Sequence, residues 1–504
     1  MIRTLLAIII AAQLALAAWY WAGRPVHIIE PGVSEPLNCL SYTPFRHDES
    51  PFEQGVEANF TPARIEEDLR LLSGLTSCIR LYASGGMEAI PPTAQKLGMK
   101  VLMGAWVSRD AAATRQEIET LVTLANRYPQ TIRGVLVGNE ALLRREIEAD
   151  QLAALLREVK QRVSQPVSYA DVWEFQLRHP QIAEASDFVT IHILPYWEDD
   201  PVAIDDAIGH VRRIRQQVVD RFPGKPVLIG ESGWPSVGRM REGALPSRVN
   251  EARFVRGFVA AARAEGWDYN LIEAFDQPWK RRLEGAVGGY WGIFDTARHD
   301  KALLSGEVSN YPHWPWFALL AAALGSLIIP LMRIPLSLSP LVAGITVGWT
   351  LQLEQLWLIS RSGLESLAAL LLLIALLVTS LAALARLAGQ PFTPRREALP
   401  VLLLGSIAAV LSLWLLSDPR YRDFFVAGFL PPALLLFLLN RSRTPVLNQG
   451  HEEIAIGVLL SLGAVIIAIN ETLLNHQALA WSLATLLLGS SLIWRGARAQ
   501  PRKG

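Results

Sequence analysis

Eight short apolar runs, each followed by a helical pattern, constrain this chain more than any other feature. They lie at 39–43, 78–82, 101–107, 134–138, 167–171, 188–193, 227–230 and 271–274. Between them fall amphipathic patterns, among them 62–75, 111–128, 151–163, 203–221 and 247–265. Strands that are apolar throughout are buried on both faces, as in a parallel sheet covered by helices. Eight of them over about 260 residues match a (β/α)8 barrel in number and size. A doubly wound sheet is the alternative. Its first strand normally leads into a glycine-rich phosphate loop, and Ser41-Tyr42-Thr43-Pro44-Phe45-Arg46 is not one.

With 504 residues the chain exceeds one ordinary domain, and its character changes near Tyr311. Beyond that point seven apolar helices are read, at 316–332, 336–358, 365–385, 398–416, 424–440, 453–469 and 478–494. Most are long enough to cross a hydrocarbon core of about 30 Å. An earlier apolar segment, 4–22, follows Arg3. It reads as a signal peptide cleaved at Ala15-Leu16-Ala17 or as a retained signal anchor. Its length and the Trp19-Tyr20-Trp21 cluster favour the anchor, because Trp and Tyr prefer the membrane interface. The expected organisation is an anchor at 1–24, a (β/α)8 domain at 25–310 and an all-α transmembrane domain at 311–504.

Loop charges orient these spans. Arg333, Arg386, Arg395, Arg396, Arg441, Arg443, Arg495, Arg498, Arg502 and Lys503 fall on one side, against Arg361, Arg420 and Arg422 on the other. Basic loops stay in the cytoplasm, so the barrel is expected outside it. Zero net charge gives no pointer to nucleic acid. The two cysteines, Cys39 and Cys78, are spaced wrongly for a metal site. Buried free thiols are the ordinary expectation. A disulfide requires neighbouring strands and an oxidising compartment.

Active sites of (β/α)8 barrels lie at the C-terminal strand ends. Here the fourth run ends Val137-Gly138-Asn139-Glu140, and the seventh leads into Gly230-Glu231-Ser232-Gly233-Trp234-Pro235-Ser236. Alone, Glu231 reads as a solvated carboxylate in a turn. Two carboxylates on nearly opposite strands, in a pocket ringed by Trp, suit glycoside chemistry. One protonates the leaving oxygen and the other attacks the anomeric carbon. Other strand ends offer Arg80-Leu81-Tyr82, His192 through Tyr196-Trp197, and Glu273 through Phe275-Asp276-Gln277-Pro278-Trp279-Lys280. His192 reads as a packed strand histidine and Glu174 as a solvated helix start. Arg80 either orients a catalytic carboxylate or neutralises the barrel mouth.

The G-N-E and G-E-S-G-W-P-S motifs, 91 positions apart, resemble those of glycoside hydrolase family 17, the β-1,3-glucanases. The resemblance runs from about Asn38 to Asp295. It includes Asn38-Cys39-Leu40-Ser41-Tyr42-Thr43-Pro44-Phe45 as the opening strand and Arg80-Leu81-Tyr82 as the second. The version of strand eight resembles the bacterial branch, which places the chain at a bacterial inner membrane with the barrel in the periplasm. The resemblance implies a retaining enzyme with Glu140 as acid/base and Glu231 as nucleophile, and no metal or organic cofactor. A retaining pair implies carboxyls roughly 5–5.5 Å apart, with Glu231 raising the pKa of Glu140. Asn139 is placed to bond the 2-hydroxyl of the reacting sugar. Tyr42, Arg80, Tyr82, Trp173, Tyr196, Trp197, Trp234, Phe275, Asp276, Trp279 and Lys280 are the further substrate-binding candidates. Tyr196 is the candidate partner of Glu231, and Trp291 is another stacking candidate.

Degrading enzymes are normally secreted freely. A membrane domain therefore favours transfer over plain hydrolysis, and the resemblance to bacterial members with membrane segments implies glucanosyl transfer that elongates or branches β-1,3/β-1,6-glucan. A non-catalytic glucan-binding or export partner is a third reading, opposed by the presence of both glutamates. The expected partners are a β-glucan, the lipid bilayer and a glucan synthase or export machinery. Glu354, near the outer end of the second C-terminal span, is the acid to follow there.

Overall fold

Eight parallel strands pair in sequence order, and β8 closes onto β1 through Leu271 and Leu40. The computed structural model describes residues 2–390, 394–441 and 450–499. In chain order the elements are α1 (Ile2–Gly23), β1 (Leu40–Ser41), α2 (Pro62–Ser73), β2 (Cys78–Arg80), α3 (Ile90–Lys96), β3 (Lys100–Ala105), α4 (Ala111–Arg127), β4 (Ile132–Asn139), α5 (Ala149–Lys160), β5 (Val167–Val172), α6 (Trp173–Arg178), α7 (Pro180–Ala185), β6 (Val189–His192), α8 (Ile204–Arg221), β7 (Val227–Ser232), α9 (Arg248–Glu265), β8 (Asp268–Leu271) and α10 (Arg281–Glu284). Then follow α11 (Trp314–Leu331), α12 (Ser339–Ile359), α13 (Gly363–Leu387), α14 (Pro394–Ser417), α15 (Val426–Leu438), α16 (His451–Asn470) and α17 (His476–Ala499).

The barrel forms for the reasons its pattern implies. Asp110 accepts from the N–H groups of Ala112 and Ala113 and starts α4, while Ser247 accepts from Asn250 and starts α9. Gly266, at φ 67°, ends α9 in the left-handed conformation that glycine adopts without cost. Cys39, Cys78, Leu102, Leu136, Ala170 and Leu228 form one buried cluster drawn from around the barrel. Within it Cys39 and Cys78 are joined as a disulfide, with Cα atoms 4.5 Å apart. The ordinary expectation of free thiols is thereby corrected: β1 and β2 are paired neighbours.

One strand lies earlier than its apolar run. β8 occupies Asp268–Leu271, and the expected 271–274 is mostly loop. Polar residues hid it. Asp268 accepts from Asn38 Nδ2 at 2.8 Å and from Arg133 Nη2 at 3.1 Å. Asn270 Nδ2 donates to Ser41 Oγ and to the Gly230 carbonyl, both at 2.8 Å.

Seven helices among the described residues are long and apolar enough to cross a membrane: α1, α11, α12 with the turn before it, α13, α14, α16 and α17. The span expected at 424–440 is shorter. α15 has 13 residues and covers about 20 Å, against about 30 Å of hydrocarbon. α1 belongs to this bundle. Its Ala7, Ala11, Ala15 and Trp19, four residues apart, are buried. Trp19 Nε1 donates to Thr350 Oγ1 on α12 at 3.0 Å, and its ring stacks on Phe317 of α11 with centroids 5.2 Å apart. Of the basic residues used for orientation, Arg443, Arg502 and Lys503 lie outside the described residues.

Candidate active site

β4 and β7 deliver two glutamates to one place. The chain leaves β4 through Gly138 at φ 93° and Glu140 at φ 51°. The second value is rare for a residue with a Cβ, and such outliers concentrate at functional sites. Glu231 lies inside β7 and is buried. The glycine before it is required: a Cβ on Gly230 would lie 2.5 Å from Thr190 Cγ2 and 3.2 Å from His192 Cδ2.

His192, at the end of β6 and fully buried, stands between the two carboxylates. Its Nδ1 is 2.8 Å from Glu140 Oε1, and its Nε2 is 3.7 Å from Glu231 Oε1. One oxygen of each glutamate and a ring nitrogen of His192 lie within 4.8 Å of one another. Nearest oxygens this close are compatible with the roughly 5–5.5 Å carboxyl separation of a retaining pair.

Arg80, 1 % exposed, closes the set. Its Nη1 donates to the Gly230 carbonyl and lies 3.4 Å from Glu231 Oε1. Its Nη2 donates to Asn139 Oδ1 at 2.6 Å. This leaves the Asn139 amide nitrogen as the end available to a ligand. The three donors Glu140, His192 and Glu231 are spaced as a cation site would be. The chain, however, already places the Arg80 guanidinium against both Glu231 and His192.

Burial pushes the Glu140 carboxyl up. The hydrogen bond and charge of His192, aided by Arg144 and Arg80, outweigh it, so Glu140 sits below its ordinary value. Glu140 is therefore not raised as expected, because His192 bonds it directly and outweighs burial. Two further carboxyls lie in the same electrostatic neighbourhood. Burial raises Glu273 to about 7 against the pull of Lys280, and raises Glu284 to about 7 with Glu140, Glu273 and Glu231 adding to the rise.

The protein-family model of the BtgE/BtgC glycoside hydrolase domain matches residues 39–292. The chain belongs to this family. As a BtgE/BtgC member it is an enzyme of the glycoside hydrolase and transglycosylase type. It is 26% identical over 272 residues to the glucan 1,3-beta-glucosidase of Saccharomyces cerevisiae, a match that covers 48% of this chain and 85% of that protein. It is 28% identical over 264 residues to glucan 1,3-beta-glucosidase BGL2 of Candida albicans, covering 47% of this chain and 84% of that protein. Among solved structures it is similar to a glycoside hydrolase family 17 beta-1,3-glucanosyltransferase from Rhizomucor miehei, with 26% identity and a TM-score of 0.47, covering 54% of this chain and 97% of that one.

The structure sorts the remaining candidates of this BtgE/BtgC barrel. Trp173, Trp197, Trp279, Tyr82 and Lys280 are half-buried at the strand ends. Lys280 Nζ holds Glu273 at 2.9 and 3.0 Å, and Tyr82 lies under the Arg80 guanidinium with its hydroxyl 2.8 Å from Ser41 Oγ. Four candidates are core instead. Trp234 is fully buried, donates to the Leu245 carbonyl at 3.0 Å and has no face open to a sugar. Tyr42 is buried and spends its hydroxyl on Asp68 at 3.1 Å. Phe275 is 1 % exposed, packed on Tyr42 and Phe294. Asp276 is buried, accepting from the Gly292 N–H at 2.8 Å and from Lys301 Nζ at 3.1 Å. Tyr196 does not hold Glu231: it is fully buried and donates to the Arg239 carbonyl at 2.7 Å. Trp291 is also buried, stacked beneath Trp197. Sequence reasoning missed the bridging position of His192 and the carboxyl of Glu284. The signal for His192 was its place as the last residue of a strand.

Proposed function

We propose that the chain is a retaining β-1,3-glucan-active enzyme in which Glu231 is the nucleophile and Glu140 the general acid and base. The observation that carries this reading is the approach of the two carboxylates within 4.8 Å, from strands three apart in the barrel. The sugar ring sits above Glu231, which attacks the anomeric carbon as the leaving oxygen takes a proton. That proton comes from Glu140, whose Oε1 lies 2.8 Å from His192 Nδ1. Arg80 keeps Glu231 aimed, and Asn139 offers its amide to the 2-hydroxyl. The covalent glycosyl-enzyme is then resolved by a hydroxyl that Glu140 deprotonates. The glucosidase names of the yeast relatives support a β-1,3-glucan as substrate.

The resolving hydroxyl belongs to a second glucan chain, making the enzyme a glucanosyltransferase. Tethering to a helical bundle supports transfer, since a degrading enzyme gains nothing from it. The names of the same relatives favour hydrolysis as the second reading. Residues 25–310 are the catalytic part, and α1 with 311–504 is the membrane part. The disulfide supports an oxidising compartment for the barrel, and the loop charges support the same side. Together these point to the periplasmic face of a bacterial inner membrane.

The test uses the full-length protein in detergent with laminari-oligosaccharides. Products longer than the substrate are expected. Only shorter products refute transfer, and unchanged turnover by Glu231→Gln refutes the catalytic assignment.

A further inference from the structure

The end of the barrel that holds the glutamates is not open all round. Three loops of the helical bundle lie on the barrel loops that follow β6, β7 and β8. Between α14 and α15, Arg420 Nη2 donates to the Trp197 carbonyl at 3.0 Å, and the Tyr421 ring meets the Trp197 ring edge-on with centroids 5.9 Å apart. The Arg422 carbonyl accepts from Arg239, a guanidinium 2 % exposed that also pairs with Glu471 and lies 4.5 Å over the Phe424 ring. Between α16 and α17, Asn475 Nδ2 donates to the Met240 carbonyl at 2.8 Å. The Met240 N–H donates to Gln477 Oε1 at 2.8 Å. At the end of α12, the Leu358 carbonyl accepts from the Tyr290 hydroxyl at 2.5 Å and from Arg281 Nη1 at 2.6 Å.

These contacts leave little slack. A Cβ on Gly285 would lie 2.3 Å from the Tyr421 carbonyl, so barrel and bundle meet backbone to backbone there. The contact also reaches the reacting groups. Trp197 stacks on Trp291 with centroids 6.5 Å apart and planes 14° from parallel. Trp291 packs over Gly233, two residues beyond Glu231. Glu284, which feels the charges of Glu140 and Glu231, precedes Gly285. The rim after β3 is different. Its loop presents Trp106, 39 % exposed with Arg144 over its ring. The loop after β1, next to β8, presents Phe52, 66 % exposed and edge-on to Trp279. Such flat apolar surfaces are what sugar rings stack on.

We infer that the membrane-domain loop 418–425 is the end wall of the glucan cleft. It fixes how many glucose units fit on one side of the scissile bond. The chain enters along the rim after β1 to β5 and cannot run out over β6 to β8, because Tyr421 and Arg420 stand behind Trp197. The buried Arg239–Glu471 pair makes the wall rigid, since opening it strands both charges. This inference rests on the reading of the site as a glucan-active one.

The test uses full-length protein in lipid nanodiscs and reducing-end-labelled laminariheptaose, with product lengths read by mass spectrometry. For the wild-type protein one of the two fragments, released or transferred, has a single short length. Tyr421→Ala and Arg420→Ala each add longer fragments, and Tyr421→Phe keeps the wild-type pattern. An identical product ladder from active Tyr421→Ala and Arg420→Ala overturns the inference. Should neither variant fold, the wild-type ladder decides alone: fragments of unrestricted length on both sides of the cut overturn it. No product at all from the wild-type protein overturns the proposed function itself, and the wall with it.

Discussion

His192 Nδ1 lies 2.8 Å from Glu140 Oε1 while His192 Nε2 faces Glu231 Oε1 at 3.7 Å, so one imidazole spans the space between the carboxylates brought by β4 and β7. This arrangement sets the ionisation of the site. Burial raises Glu140, and His192 does most to bring it back down. Removing the imidazole in His192→Ala leaves burial dominant, so the Glu140 pKa rises. The protonated form that serves as general acid then persists to higher pH, and the basic limb of the kcat/KM profile moves upward in pH. Glu140→Gln removes the acid altogether and lowers the rate by about 10²–10⁴-fold. His192→Ala costs less than that. A basic limb that stays in place, or moves to lower pH, refutes the role given to His192.

Lys301 is the buried cation on which the rim after β7 and β8 depends. Its Nζ lies 2.9 Å from Glu251 Oε2, 3.1 Å from Asp276 Oδ1 and 2.9 Å from Ser236 Oγ. Burial raises Glu251 to about 8 and also raises Asp276, and Lys301 opposes both shifts. Lys301→Met leaves Glu251 and Asp276 buried without their cation, and well above pH 8, where both are ionised, it destabilises the protein by about 3–5 kcal/mol. Without Lys301 the Glu251 carboxyl rises above the about 8 it has beside the cation, so the native state of that variant binds more protons than the unfolded state from the ordinary carboxylate range to beyond pH 8. Its stability therefore rises as pH falls through that window. Thermal unfolding at pH 8, 6.5 and 5 should show the deficit shrinking. A deficit independent of pH contradicts the account.

The packing of α1 predicts that the mature protein keeps it. Ala7, Ala11, Ala15 and Trp19 form a buried seam, and Trp19 satisfies its indole N–H on Thr350. Cleavage after Ala17 would remove most of α1, with Ala7, Ala11 and Ala15, from the bundle and expose apolar faces of α11 and α12. Intact-mass measurement of the membrane-extracted protein should include residues 4–22. A chain beginning at Ala18 counts against it.

The barrel was legible because burial on both faces forces an apolar run, and seven of the eight runs coincide with strands. β8 escaped because Asp268 and Asn270 satisfy their polar groups inside the protein, on Arg133, Asn38, Ser41 and Gly230. The two glutamates were legible because their motifs sit where strands end. The aromatic candidates were not. Trp234 and Trp197 flank the same pocket in sequence, yet one is core and the other is rim, and only their indole partners distinguish them. Tyr196 failed in the same way. Contacts such as Trp197 with Tyr421 join residues far apart in the chain and carry no local pattern.

Arg80 has a further consequence. Its guanidinium belongs to β2, yet it bonds Asn139 at the end of β4 and the Gly230 carbonyl inside β7. One side chain thus acts as a keystone for three staves of the barrel and as the support of Glu231, the carboxylate proposed as nucleophile. On the proposed mechanism, rigidity and turnover share the same atoms, so substitutions that loosen the barrel mouth are expected to inactivate it as well. Room for new specificity lies in the surrounding rim, where residues can change without touching the brace.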